Sequence, residues 1–251
     1  MDRLAFTALN ALSVTRDTRV TQAQNLANMN VPGYRRDMSN ESSTQFLEAA
    51  GALGARAFQM EHDYLTFSSE AGEMTRTDQE LDIAIADEGY FFIQPENGEP
   101  ALSRRGDLRI DGDSLLRNGA GHLILGADMA PISVPPFRSL RITDLGEIHI
   151  EQANGAGEML VGTVATVIPD EGVALTKGLD AQIRSLDGGV PIPNQRAEVL
   201  QGVLEGSNVN VIEEMLSNIE TQRSFEFGMR MIQNASELDE AGARLMQAPS
   251  G

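Results

Sequence analysis

Apolar residues recur every three or four positions at both ends of this chain, while its middle alternates short β-type runs with turn residues. At the N-terminal end Leu4, Ala8, Leu9 and Leu12, then Val20, Ala23, Leu26 and Ala27, mark one face of a helix from about Asp2 to Met29. Its centre, Thr15 to Arg19, is polar, so such a helix is marginal alone and needs a partner surface. Pro32 then pushes Val31 out of the helical region and Gly33 permits a positive φ, which ends the element on steric grounds. A second, longer helix is predicted from Asn210 to about Met246. Val211, Met215, Phe225, Met229 and Ile232 form its stripe, widened by Ile212, Leu216, Ile219, Ala235, Leu238 and Leu245. Asn210 supplies an N-cap and Glu213 completes a capping box. About 37 residues would give a rod of roughly 55 Å at 1.5 Å per residue. A domain of about 120 residues spans only about 30 Å, so much of the stripe needs a surface outside that domain.

Between the helices, candidate strands run over 81–86, 90–94, 101–103, 108–110, 115–117, 122–125, 132–134, 140–142, 147–150 and 160–168, with 181–186 less marked. Tight turns join them at Asp87-Glu88-Gly89, Gly106-Asp107, Asp111-Gly112-Asp113, Asn118-Gly119 and Asp144-Leu145-Gly146. Strands this short and this closely joined pair antiparallel. The pattern therefore predicts an α+β chain: long N- and C-terminal helices forming a coiled-coil layer, and a central all-β domain, antiparallel and barrel- or sandwich-like. The divisions fall at 1–37 (N-terminal helix), 38–69 (an extended linker with one short helix), 70–205 (β domain) and 206–251 (C-terminal helix). Each terminal helix can also be read as an ordinary packing helix of a compact fold.

Composition narrows the chemistry. The net charge is −18 and Lys177 is the single lysine, which disfavours a nucleic-acid groove or an anionic-lipid surface. Residues 1 to 37 hold five Arg against three Asp, whereas 208 to 251 hold three Arg against seven acidic residues, so the ends attract weakly. There is no cysteine, which removes disulfides and thiolate chemistry. The run Leu4 to Val14 is interrupted by Thr7 and Asn10, unlike a secretory signal, and no run has the length of a membrane span. His62, His122 and His149 are scattered without metal-ligand spacing, and Lys177 follows no glycine-rich loop. Asp111-Gly112-Asp113-Ser114 and the acids of 82–87 do not continue to the Glu of a calcium loop, so solvated turn acids are expected. No catalytic, cofactor or metal site is predicted.

Four longer stretches carry a resemblance. "QAQNLANMNVPGYRR" (22–36) holds Asn25, Leu26, Ala27 and Asn28 ahead of Pro32, Gly33, Tyr34 and Arg35; "GEMTRTDQELDIAIADEGYFFIQ" (72–94) and "LSRRGDLRIDGDSLLRNGAGHLILG" (102–126) follow, and "LEGSNVNVIEEMLSNIETQRSFEF" (204–227) closes the set. In this order they resemble the flagellar basal-body rod and hook family, and the Pro-Gly turn resembles its proximal-rod type. Asp87-Glu88-Gly89 stands where the family has Gly-Asp-Gly, and Leu102 and Leu108 stand where aromatics are common. A left-handed Asp is expected to preserve the first of these turns.

The resemblance implies a non-enzymatic structural subunit exported through the flagellar type III apparatus. Such subunits polymerise with copies of themselves and other rod subunits, inside the basal-body rings, into the shaft that crosses the periplasm. No cofactor, nucleic acid or membrane insertion is implied. The expected assembly interface is Leu4, Leu9, Leu12, Val20, Ala23 and Leu26 with Val211, Met215, Ile219, Phe225, Met229, Ile232, Leu238 and Leu245. The expected turn and motif positions are Asn25, Asn28, Pro32, Gly33, Tyr34, Gly89, Asn208 and Asn210. Alternative readings are a distal-rod or hook-type subunit, a secreted β-domain enzyme or carbohydrate binder with a concave polar pocket, and a closed homo-oligomeric adaptor.

Overall fold

The strand Tyr90–Gln94 organises the centre of the molecule because it is apolar on both faces. Side chains alternate along a strand, so Phe91 and Ile93 enter one core with Ile85, Ile124, Ile148 and Val199, while Tyr90 and Phe92 enter a second with Leu102, Leu125 and Val167. The computed structural model describes residues 2–38, 45–47, 56–58, 66–153, 155, 157–170, 172–178, 180–187 and 189–246. Tyr90–Gln94 lies in an eight-stranded antiparallel sheet. The order is Leu175–Lys177, Ile183–Ser185, Ala101–Ser103, Tyr90–Gln94, Leu123–Ile124, Leu116–Asn118 and Leu108–Ile110, with Thr166–Val167 also pairing to Tyr90–Gln94. A three-stranded meander of Phe137–Ile142, Glu147–Gln152 and Glu158–Thr163 buries Leu140, Ile142, Ile148 and Ile150 in the first core.

Three two-stranded pairs tie distant parts of the chain to this β unit. Val199–Gln201 pairs with Ile83–Ile85, Val203–Glu205 with Met74–Arg76, and Asp37–Met38 with Thr66–Phe67. The first two partners are split by Gly202, left-handed at φ +73, whose N–H donates to the Asp82 carbonyl at 2.7 Å. Ile132 and Val134 are buried as expected of a strand, but the chain there makes only isolated bridges through Pro131 and Ser133, since prolines flank the segment. Ala27–Met38 and Asp63–Val209 make up this unit.

The second unit gathers the two helices, α1 (Asp2–Ala27) and α2 (Val211–Met246), with the short strands Gln45–Leu47 and Arg56–Phe58. Those strands pair antiparallel in the stretch where one short helix is expected; the remainder of that stretch lies outside the described residues. The expected coiled-coil layer is not present. Among the described residues the chain has one N-terminal and one C-terminal helix together with a largely β region, and the hydrogen bonds between the helices are made by polar side chains. Gln22 donates to Ser217 and Thr221, and Asn25 donates to Glu214, while Val20, Leu26, Met215 and Ile219 are exposed. Periodicity shows that a helix has an apolar stripe; it does not show which face the other helix takes. Among the described residues no helix is long and apolar enough to cross a membrane.

Candidate assembly site

The turn that ends the N-terminal signature and the strand that opens the C-terminal one meet on Glu205. Gly33 is left-handed at φ +66, and a Cβ there would stand 2.3 Å from the Arg104 backbone, so only glycine fits the turn. Its N–H donates to the Glu205 carbonyl at 2.8 Å. The Glu205 carboxylate, buried, receives Arg35 Nη2 at 2.8 Å, Arg104 Nε at 2.8 Å and the Gly72 N–H at 2.9 Å. Arg35 also donates to the Glu70 carbonyl, and Arg104 Nη1 to the carbonyls of Asp87 at 2.6 Å and Gly89 at 2.5 Å. Burial pulls Arg104 below the ordinary arginine value, with Glu205 opposing the shift. Removing one partner of such a cluster leaves an uncompensated buried charge, whereas the intact cluster chiefly fixes geometry.

Beside it, the sole lysine fastens the next residues. Lys177 Nζ donates to Asp37 at 2.5 Å and to the Arg35 carbonyl at 2.6 Å, and it sits 4.1 Å from the centre of the Tyr34 ring. The Tyr34 hydroxyl donates to the other Asp37 oxygen at 2.8 Å. Burial draws Lys177 below the ordinary lysine value, against the pull of Asp37. Asn208 closes the joint: its Oδ1 accepts the Arg36 N–H at 2.6 Å, its own N–H donates to the Tyr34 carbonyl at 3.2 Å, and its amide donates to the Glu70 carbonyl at 2.8 Å. Of the expected motif positions, Gly33, Tyr34 and Asn208 thus come together, next to Pro32 and a turn in which Val31 N–H donates to Asn28. Gly89 lies nearby for a different reason from the one expected. None of residues 87–89 is left-handed; Asp87 accepts the Gly89 N–H at 2.8 Å, and a Cβ on Gly89 would stand 2.5 Å from that of Ala197.

Glu205, Arg104, Asp37 and Lys177 carry this joint, and sequence reasoning singled none of them out for it. The available signals were charged residues set among apolar strand positions and a lysine with no companion in the chain. A cleft of about 700 Å³ adjoins the joint, lined by Arg35, Glu70, Glu88, Tyr90, Arg104 and Asp170 among others. Burial raises Tyr90 above its ordinary value. The guanidinium of Arg104 is directed to Glu205 and to two carbonyls, not into the cleft.

In the helical unit, Asn210 caps α2, accepting the N–H groups of Ile212 at 3.1 Å and Glu213 at 3.4 Å and donating to the Glu213 carboxylate at 3.1 Å. Ile212, Met215, Leu216 and Ile219 follow, exposed at 70%, 56%, 58% and 50%. Their spacing puts them on one side of the helix. Among the other expected interface residues, Val20, Ala23, Leu26 and Met229 are exposed, whereas Leu12, Val211, Phe225 and Ile232 are half-buried. The side chains of Leu4, Leu9, Leu238 and Leu245 lie outside the described residues.

Residues 200–245, which include Glu205, Asn208, Asn210 and the exposed face of α2, match the family described as flagellar basal body rod FlgEFG protein C-terminal. The chain is 29% identical to the flagellar basal-body rod protein FlgF of Escherichia coli K12 over 98% of each chain. It is 27% identical to FlgF of Salmonella typhimurium over 94% of this chain and 95% of the relative. The flagellar basal-body rod protein FlgG of Borreliella burgdorferi matches at 25% over 95% of this chain and 96% of its own length. With the two signatures joined on one carboxylate and matches running nearly end to end in both partners, the chain is similar to flagellar basal-body rod proteins along almost its whole length.

Proposed function

We propose that this chain is a structural subunit of the proximal part of the bacterial flagellar basal-body rod, seated among copies of itself and related rod subunits through the open apolar face of α2. The observation that carries the reading is that face: four large aliphatic side chains in a row, at least half exposed, inside the segment that matches the rod family. Burying what they expose is worth about 1 to 2 kcal/mol each, on the order of 5 kcal/mol in all before the entropic cost of association. That is weak for one contact and adequate when repeated along a shaft. The subunit works by holding position: its helices resist shear, and within the β unit the buried Glu205 cluster fixes the N-terminal turn. The family resemblance further supports export through the flagellar type III apparatus and a place within the basal-body rings.

Charged substitutions on the open face test this directly. Met215→Asp with Ile219→Asp alters a face that is at least half exposed, so the helix is expected to persist with a stability loss of about 1 kcal/mol or less per site. Cells carrying the double variant in place of the native chain are expected to lose swimming, and their isolated basal bodies to lack a complete rod. Normal swimming with a complete rod would overturn the reading.

A further inference from the structure

The contact between the helices is polar where it is most deeply buried. Gln22 and Asn25, three residues apart on one face of α1, oppose Glu214, Ser217 and Thr221 on one face of α2. Gln22 Nε2 donates to Ser217 Oγ at 2.7 Å and to Thr221 Oγ1 at 3.1 Å, and Asn25 Nδ2 donates to Glu214 Oε1 at 3.2 Å. Gln22, Asn25 and Glu214 are each at most 5% exposed. The pairing runs antiparallel, since Asn25 meets Glu214, Gln22 meets Ser217 and Thr221, and Leu12 approaches Gly228. At Gly228 an added Cβ would stand 3.3 Å from Leu12, so the small residue lets the far end close.

From these contacts we infer that Gln22 and Asn25, with Glu214, Ser217 and Thr221, set the register of the helix pair and thereby decide which face of α2 stays open. Apolar helix surfaces slide past one another at little cost, because one aliphatic contact replaces another. A polar seam does not. A slip of one turn parts Gln22 from Ser217 and Asn25 from Glu214 and leaves a buried amide and a buried carboxylate without those partners. Among the described residues the Gln22 carbonyl oxygen has no hydrogen-bond partner, and the side chain holds α2 through its Nε2. Ile212, Met215, Leu216 and Ile219 lie on the side of the helix away from Glu214, Ser217 and Thr221 and are turned outward by the seam. The register stands on the intrachain contacts; its consequence for assembly rests on the proposed function.

The chain has no cysteine, which makes paired cysteines a clean reporter. In the full-length chain, crosslinked by a short thiol reagent both as purified protein and in cells, Leu12→Cys with Gly228→Cys reports the observed register, and Leu12→Cys with Ile232→Cys reports a slip of one turn. The observed pair is expected to be favoured by about tenfold, the equilibrium weight of one buried unmet hydrogen bond or more. Replacing Gln22, Asn25 and Glu214 together by Leu should retain the helical circular dichroism yet bring the two pairs within about twofold. Exchanging donor and acceptor, as Asn25→Asp with Glu214→Gln, should keep the preference that the triple-Leu variant loses, and its loss in the exchanged chain would also overturn the inference. An unaltered chain without a preference, or a triple-Leu variant that keeps it, overturns the inference. Swimming of the same strains separates the two layers: register lost with motility intact contradicts the link to assembly alone.

Discussion

Glu205 is the residue on which the most structure converges, and its replacement is the sharpest test at that scale. Glu205→Gln keeps the shape and removes the charge, leaving Arg35 and Arg104 buried side by side without their shared anion. The expected loss is about 3 to 5 kcal/mol, read from the urea unfolding of the full chain. An unchanged midpoint would show that the cluster is dispensable. Lys177 offers a test by pH. Its folded value lies below the ordinary 10.5, so between the two the unfolded chain binds more protons than the folded one. Stability contributed by this group is therefore present above 10.5 and lost as pH falls through the lowered folded value. The stability of the native chain relative to Lys177→Met should rise as pH climbs toward 10.5; a difference independent of pH would contradict the burial of the amine.

Elements differ in how plainly the sequence announced them, and the difference follows from where their partners lie. Tyr90–Gln94, Ala101–Ser103 and Leu108–Ile110 were legible because each is an apolar run between turn residues, and each pairs with a near neighbour in the sheet. Met74–Arg76 and Val203–Glu205 were not, since they pair with each other across most of the chain and Met-Thr-Arg carries no strand pattern of its own. The joint on Glu205 was hidden for the same reason: its members are brought together by tertiary pairing, although both signatures were visible as motifs. The two helices were legible in position and in the Asn210 cap, but the polar face by which they meet was not, because periodicity favours apolar faces by construction. At this scale Asn210→Ala should cost about 1 kcal/mol and fray the first turn of α2, seen as faster hydrogen exchange at Ile212 and Glu213. Unchanged exchange there would mean that packing, not the cap, holds the helix start.

For the whole molecule, a braced β unit and a helical unit with an open aliphatic face are what a subunit of a shaft requires, one part to keep its shape and the other to join its neighbours. A charge of −18 keeps free chains apart, while the apolar face supplies the attraction once neighbours are in place. A density map of the intact basal body, at a resolution that separates the rod subunits, measures this most directly. It is predicted to place this chain in the proximal shaft with Met215, Leu216 and Ile219 covered by adjacent subunits. A chain absent from the shaft, or present there with that face open to solvent, would contradict it.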